Sequence, residues 1–128
     1  METKFNFNSQ ACSSIEQSRR LLALGLKKET ADMYWTKPFN EWFPIVKRGN
    51  EKIDDENIPA WSLHRLISLV PRAIKDMLAL CIINNAVIYD GLGYVKEFKA
   101  SESLYDNLID CIAWLIENEY MYQDYMED

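Results

Sequence analysis

An α+β fold in a single domain, residues 1–128, is predicted by three features of this 128-residue chain. Residues 101–120 place Leu104, Leu108, Cys111, Ile112 and Leu115 at helical spacing, and Tyr105, Ile109 and Ile116 widen the apolar stripe past half the circumference. A helix that apolar belongs at the centre of a core. Residues 80–83 and 86–89 are strand formers on either side of Asn84-Asn85, the pattern of a β-hairpin with a two-residue turn. Residues 14–35 read as two helices joined through Gly25. The expected arrangement is an N-terminal helical hairpin, a central helix, a small antiparallel three-stranded sheet (the hairpin plus one strand) and a long buried C-terminal helix.

Taken in order, residues 1–12 alternate around Phe5 and Phe7, as a short strand or an ordered arm would. Ser13 and Glu16 match a capping box, in which each side chain satisfies a free backbone N–H at the helix start. Gly25 is placed to end that helix in the left-handed conformation, and a second helix begins near residues 27–29 and carries Ala31, Met33, Tyr34 and Trp35. Pro38, Pro44, Gly49-Asn50 and Asp54-Asp55-Glu56 then punctuate the chain, with an extended piece at residues 42–47 that Pro44 confines to a sheet edge. Trp35, Phe39, Trp42 and Phe43 read as a lid over the core, with a displayed partner surface as the alternative.

Asn57-Ile58-Pro59 has the form of a helix start, leading into the stripe Leu63, Leu66, Ile67 and Val70 that Pro71 closes. Trp61 points off that stripe, toward a second surface or a partner. Residues 72–83 suit a helix by spacing, yet the β-branched run before Asn84 favours the hairpin. Residues 90–93 make the next turn, residues 94–98 a third strand, and residues 121–128 an acidic tail that continues the last helix or frays.

Composition bounds the function. Hydrophobic residues at 48% and charged residues at 27% are globular values and exclude disorder or a disulfide scaffold. No apolar run approaches the roughly 20 residues of a membrane span. The start METKFNFNSQ lacks the pattern of a secretion signal, so a cytoplasmic protein is expected. Cys12, Cys81 and Cys111 are odd in number, widely spaced and set among apolar neighbours, which predicts buried free thiols. With one histidine, no C-x-x-C and no phosphate-cradling glycine loop, neither metal nor cofactor is expected. The net charge of −6 is uneven: residues 1–50 hold eight Lys/Arg against five Asp/Glu, a balance of +3, and residues 51–128 hold six against fifteen, a balance of −9.

Residues 59–71, PAWSLHRLISLVP, followed by a hairpin ending in Ile88-Tyr89-Asp90 and by DNLIDCIAWLI at residues 106–116, resemble a group of small proteins carried by phages and mobile elements of anaerobic gut bacteria. Residues 14–35, SIEQSRRLLALGLKKETADMYW, are similar to the same group. The resemblance covers most of the chain. It implies an accessory gene as the setting and carries no functional residues across, because the group has no assigned biochemistry.

Candidate chemistry is sparse, and no enzymatic activity is expected. His64 lies at the margin of a helix stripe, where a structural histidine outweighs a catalytic one. A Cys–His pair lacks a local signature. Asp106 and Asp110 share a helix face at i, i+4 and, with Glu117, form an acidic strip. That strip, together with Trp61, is the candidate protein-binding site, and its charge calls for a basic partner. The function expected is therefore that of a non-enzymatic accessory acting on another protein, a host protein in the setting above. Opposite charges at the two ends also suit homo-oligomers. The alternative is a small nucleic-acid-binding regulator, in which the N-terminal helix pair presents Arg19, Arg20, Lys27 and Lys28 to DNA. Against it stand the overall negative field and the presence of Glu29 and Asp32 on the reading helix.

Overall fold

A computed structural model describes residues 10–75 and 77–128, so the expected arm around Phe5 and Phe7 lies outside the described residues. Among these residues the architecture is α+β, with three α-helices and two antiparallel sheets. Helix α1 (Ile15–Ala23) leads into a three-stranded sheet of β1 (Met33–Thr36), β2 (Phe43–Val46) and β3 (Ile58–Ala60), ordered β2-β1-β3. Helix α2 (Leu63–Leu69) precedes a four-stranded meander, β4 (Ala73–Ile74), β5 (Leu78–Ile83), β6 (Ala86–Gly91) and β7 (Tyr94–Phe98). Helix α3 (Leu104–Glu117) follows.

The second helix of the expected N-terminal hairpin is absent. Lys28–Thr30 form a single 3₁₀ turn, and the Met33, Tyr34 and Trp35 expected on that helix form β1 instead. Non-local pairing decides this: Tyr34 lies opposite Ile45 on one side and Pro59 on the other. Ile58-Pro59 likewise belongs to a strand rather than a helix start, with Asn57 in the turn before it, and α2 begins later, capped by Ser62, whose hydroxyl accepts from the Arg65 N–H. The Ser62 N–H and hydroxyl both donate to the Asp32 carboxylate, so the α2 cap is itself held by the segment before β1.

The capping box of α1 is one residue later than expected, at Ser14 and Gln17. Ser13 is buried and otherwise engaged: its hydroxyl accepts the Trp61 N–H at 3.0 Å and shares a hydrogen bond with Ser18 at 2.7 Å. Gly25 ends α1 with φ of 99°, as expected. The Gly25 and Leu26 N–H groups return to the carbonyls of Leu22 and Leu21, which closes the turn. Beyond α3 the tail neither continues the helix nor frays. A 3₁₀ turn at Gln123–Tyr125 folds it back, and Leu26 and Met126 form an antiparallel bridge with bonds from Lys27 N to Tyr125 O and from Glu127 N to Gly25 O.

The hairpin of β5 and β6 turns at Asn84-Asn85 with φ of 51° and 67°, the positive pair that a type I′ turn needs and asparagine tolerates. Helix α3 packs on β6 and β7 and meets α1 and α2. Leu108, Ile109, Cys111, Ile112 and Leu115 are fully buried there, each Leu or Ile stabilising by roughly 1.5–3 kcal/mol. Asn107 is the polar exception inside this core. Its side-chain amide donates to Asn85 O at 2.7 Å and Ser101 O at 2.8 Å and accepts from Ser101 N at 3.0 Å, which latches the hairpin turn to the first turn of α3.

Candidate protein-interaction surface

The sequence LALCII of β5 contains no polar residue. An antiparallel sheet with one face in water normally alternates apolar and polar residues, and an unbroken apolar strand implies cover on both faces. Among the described residues only one face of β5 has cover. Leu78, Leu80 and Ile82 turn inward toward α3, while Ala79, Cys81 and Ile83 are exposed. Directly opposed residues share a face, so the pairs Cys81 with Ile88 and Ile83 with Ala86 carry the outer surface onto β6. The pairs Ile88 with Glu97 and Asp90 with Val95 carry it onto β7. The result is an outward face of Ala79, Cys81, Ile83, Ala86, Ile88 and Val95, with Ile83 at 53% and Val95 at 49% exposure. Its only charges from β6 and β7 are Asp90 and Glu97.

This face was missed in the sequence, although its signal was present: strand residues that are apolar at both parities. At one end of the sheet, Met77, Leu92 and Tyr94 line a shallow depression of about 260 Å³ with Lys75, whose ammonium lies over the Tyr94 ring at 5.7 Å. Leu92 holds a left-handed backbone with φ of 48°, a conformation that usually selects glycine or asparagine.

The candidate sites read from sequence are placed differently. Trp61 is fully buried, its indole N–H donating to Thr30 Oγ1 at 2.9 Å, and it has no surface to offer a partner. The acidic strip is largely spent inside the molecule. Asp106 accepts from Gln17 Nε2 and the Ser101 hydroxyl, and Asp110 pairs with Arg20 at 2.8 Å, leaving Glu117 as its exposed member. The nucleic-acid set is dispersed by the same contacts. Arg20 faces Asp110, the Lys28 ammonium lies 3.9 Å from Asp55, and the helix pair that was to carry the four cations does not form. Arg19 is exposed and Lys27 half-buried.

The aromatic lid expected from Trp35, Phe39, Trp42 and Phe43 is instead a displayed ledge. Trp35 alone is held, donating its indole N–H to Ser13 O at 2.8 Å, while Phe39 is 85% exposed and Trp42 and Phe43 also face solvent. Pro44 guards the open edge of β2. Lys47 N donates to Asp32 O across β1, so by alternation residues 43 and 45 also bond inward and Pro44, with no N–H, faces out.

All three cysteines are free, but only two are buried as expected. Burial pushes the Cys111 thiol up to about 12. For Cys12, burial and then the nearby Asp32 carboxylate push the thiol up to about 11. Cys81 is exposed at the centre of the outer sheet face, because its parity on β5 opposes that of Leu80 and Ile82. His64 is exposed on α2 and lines a cleft, rather than serving as a packed structural histidine. Among the described residues no helix is long and apolar enough to cross a membrane. No protein-family model, curated protein or solved structure matches the chain.

Proposed function

We propose that the protein works by binding another protein through the outer face of its four-stranded sheet. One observation carries this reading: an antiparallel sheet whose apolar residues occupy both parities and, among the described residues, have cover on one side only. Leaving Ile83, Ile88 and Val95 in water forgoes burial worth about 25 cal/mol per Å² of apolar area, which a partner would recover. The resemblance to proteins of phages and mobile elements directs the search for that partner to the host cell.

Area and charge narrow the partner. A face of three strands about 4.8 Å apart and some five residues long at about 3.4 Å each, with the short β4 at its edge, covers roughly 300 Å². A stable interface takes about 800 Å² per side, so the sheet alone supports a transient contact, or a lasting one extended by the exposed Met77 and Leu92 at its end. Asp90 and Glu97 interrupt the apolar field with two carboxylates, of which Glu97 is already paired with the Lys99 ammonium at 2.9 Å. A second copy laid on the same face would bring the Asp90 carboxylates of both chains into one apolar contact. A heterologous partner presenting an apolar patch with Lys or Arg at its rim satisfies both.

The test is capture of host proteins by the tagged chain after nuclease treatment, followed by binding of the identified protein in purified form. Ile83→Lys and Val95→Lys should each abolish binding while leaving the thermal transition in place, and Asp90→Lys with Glu97→Lys should weaken it and remove its salt dependence. Binding indifferent to all four changes, or recovery of nucleic acid instead of protein, would sink the proposal.

A further inference from the structure

A second site, independent of the sheet face, lies between α2 and the segment after α3. A cleft of about 670 Å³ is lined by His64, Ile67, Ser68, Arg72, Tyr122 and Tyr125, with Val70, Ala73 and Leu80 completing its wall. That volume falls within the range of small-molecule pockets, about 300–1,000 Å³. Its lining includes no carboxylate among the described residues, although the chain carries a net charge of −6. Asp124 stands between the two tyrosines in sequence and is exposed outside the lining.

The polar groups are positioned from several elements. His64 and Ser68 stand at i, i+4 on α2 and so share one helix face. Ser68 donates its hydroxyl proton to Arg65 O at 2.6 Å, which leaves its lone pairs as acceptors. Arg72 is fixed at its backbone, where its carbonyl accepts from Leu80 N at 2.8 Å and the preceding carbonyl, of Pro71, accepts the Tyr89 hydroxyl at 2.6 Å. Its guanidinium is exposed and has no ion-pair partner among the described residues. Tyr122 and Tyr125 stand edge to face, 5.6 Å apart at 89°, so Tyr125 braces the ring of Tyr122, which is half exposed. Partly buried Ile67 and Leu80 and buried Val70 give the cleft an apolar wall beside these rings.

We infer that this cleft binds a phosphorylated planar aromatic molecule of the mononucleotide class. The ring would stack on Tyr122 over the apolar wall, and the phosphate would take the planar fork of Arg72 with His64 beside it. The Ser68, Tyr122 and Tyr125 oxygens suit sugar hydroxyls. Electrostatics favours this placement, because the acid-free cleft is where the repulsion of an otherwise acidic molecule is weakest.

The experiment is titration of the full chain with adenosine monophosphate by calorimetry at moderate salt, with adenosine and inorganic phosphate as separate probes. Saturable binding of the nucleotide is expected, with each fragment weaker by about tenfold or more. Arg72→Gln should weaken the nucleotide by about tenfold and leave adenosine unchanged, whereas Tyr122→Ala should weaken both. Absence of saturation up to about 5 mM nucleotide, or binding indifferent to Arg72→Gln and Tyr122→Ala in variants that melt like the parent, overturns the inference. Phosphate alone binding as well as the nucleotide also overturns it. The sheet-face changes Ile83→Lys and Val95→Lys should not affect this titration, so the two sites stand or fall separately.

Discussion

Arg20 on α1 reaches Asp110 on α3 at 2.8 Å, so a cation expected to meet DNA and a carboxylate expected to meet a basic partner instead meet each other. Beside them Gln17 donates to Asp106 at 2.6 Å, and the two contacts together seat α1 along the acidic strip of α3.

The pair is partly open to water, at 47% and 34% side-chain exposure, so screening keeps its contribution small. A double-mutant cycle of Arg20→Ala and Asp110→Ala read by urea unfolding should give a coupling of about 0.5 kcal/mol. Asp110→Lys should cost more than either alanine, because it sets two cations face to face. A coupling above about 2 kcal/mol would mean that the pair is far better shielded than its exposure implies.

The three thiols should separate cleanly by reactivity. In native protein an aromatic disulfide reagent should modify one cysteine, Cys81, and in denaturant all three. Rapid modification of Cys12 or Cys111 in the native state would contradict their burial.

Alkaline pH should destabilise the fold. The folded state holds the Cys12 and Cys111 protons to about 11 and about 12, above the ordinary 9.0 that applies once the chain unfolds. Burial also raises the Tyr89 phenol above its ordinary 10.0. The folded state therefore binds more protons above pH 9, and stability present below that pH is lost as pH rises toward 11 and 12. Urea midpoints at pH 8, 9.5 and 10.5 should fall in that order, and less steeply in Cys111→Ala. A flat profile would refute the assignment.

Leu92 should be replaceable at a profit in stability. It is exposed at φ of 48°, so Leu92→Asn should raise stability by about 0.5 kcal/mol. If the sheet end belongs to the partner surface, the same change should weaken binding, a trade that measuring both quantities on one variant would expose.

Ser13 should be more costly to change than its size suggests. Ser13→Ala leaves the buried Trp61 backbone N–H without its acceptor, while the Ser18 hydroxyl keeps the Ser13 carbonyl, at about 1–3 kcal/mol in thermal or urea unfolding.

The legible parts of the fold were those that local chemistry decides. Gly25, the Asn84-Asn85 turn, residues 94–98 as a strand and the apolar core of α3 all follow from residues within a few positions of one another. What sequence reading missed depends on distant partners. Met33, Tyr34 and Trp35 suit either helix or strand, and their pairing with residues 43–46 and 58–60 settles the matter. Trp61 reads as an outlier on a helix because its neighbours Ser13 and Thr30 come from far along the chain. The outer sheet face was readable in principle from the unbroken LALCII. The cleft was not, since α2 and the residues after α3 come together only in three dimensions.

The bridge between Leu26 and Met126 joins segments about 100 residues apart in sequence, the longest loop closure described here. A ribosome releases the turn after α1 early and its backbone partner only when residue 126 emerges. Until residue 126 emerges the Lys27 amide and the Gly25 carbonyl are therefore left to water, and this seam zips after the elements between it. In the finished molecule it is held by two backbone bonds at its flanks and by Met126 against Gly25, so it should also unzip before the core does. Because Tyr122 and Tyr125 ride on that seam, one wall of the cleft is fastened by a contact that closes late and should open early.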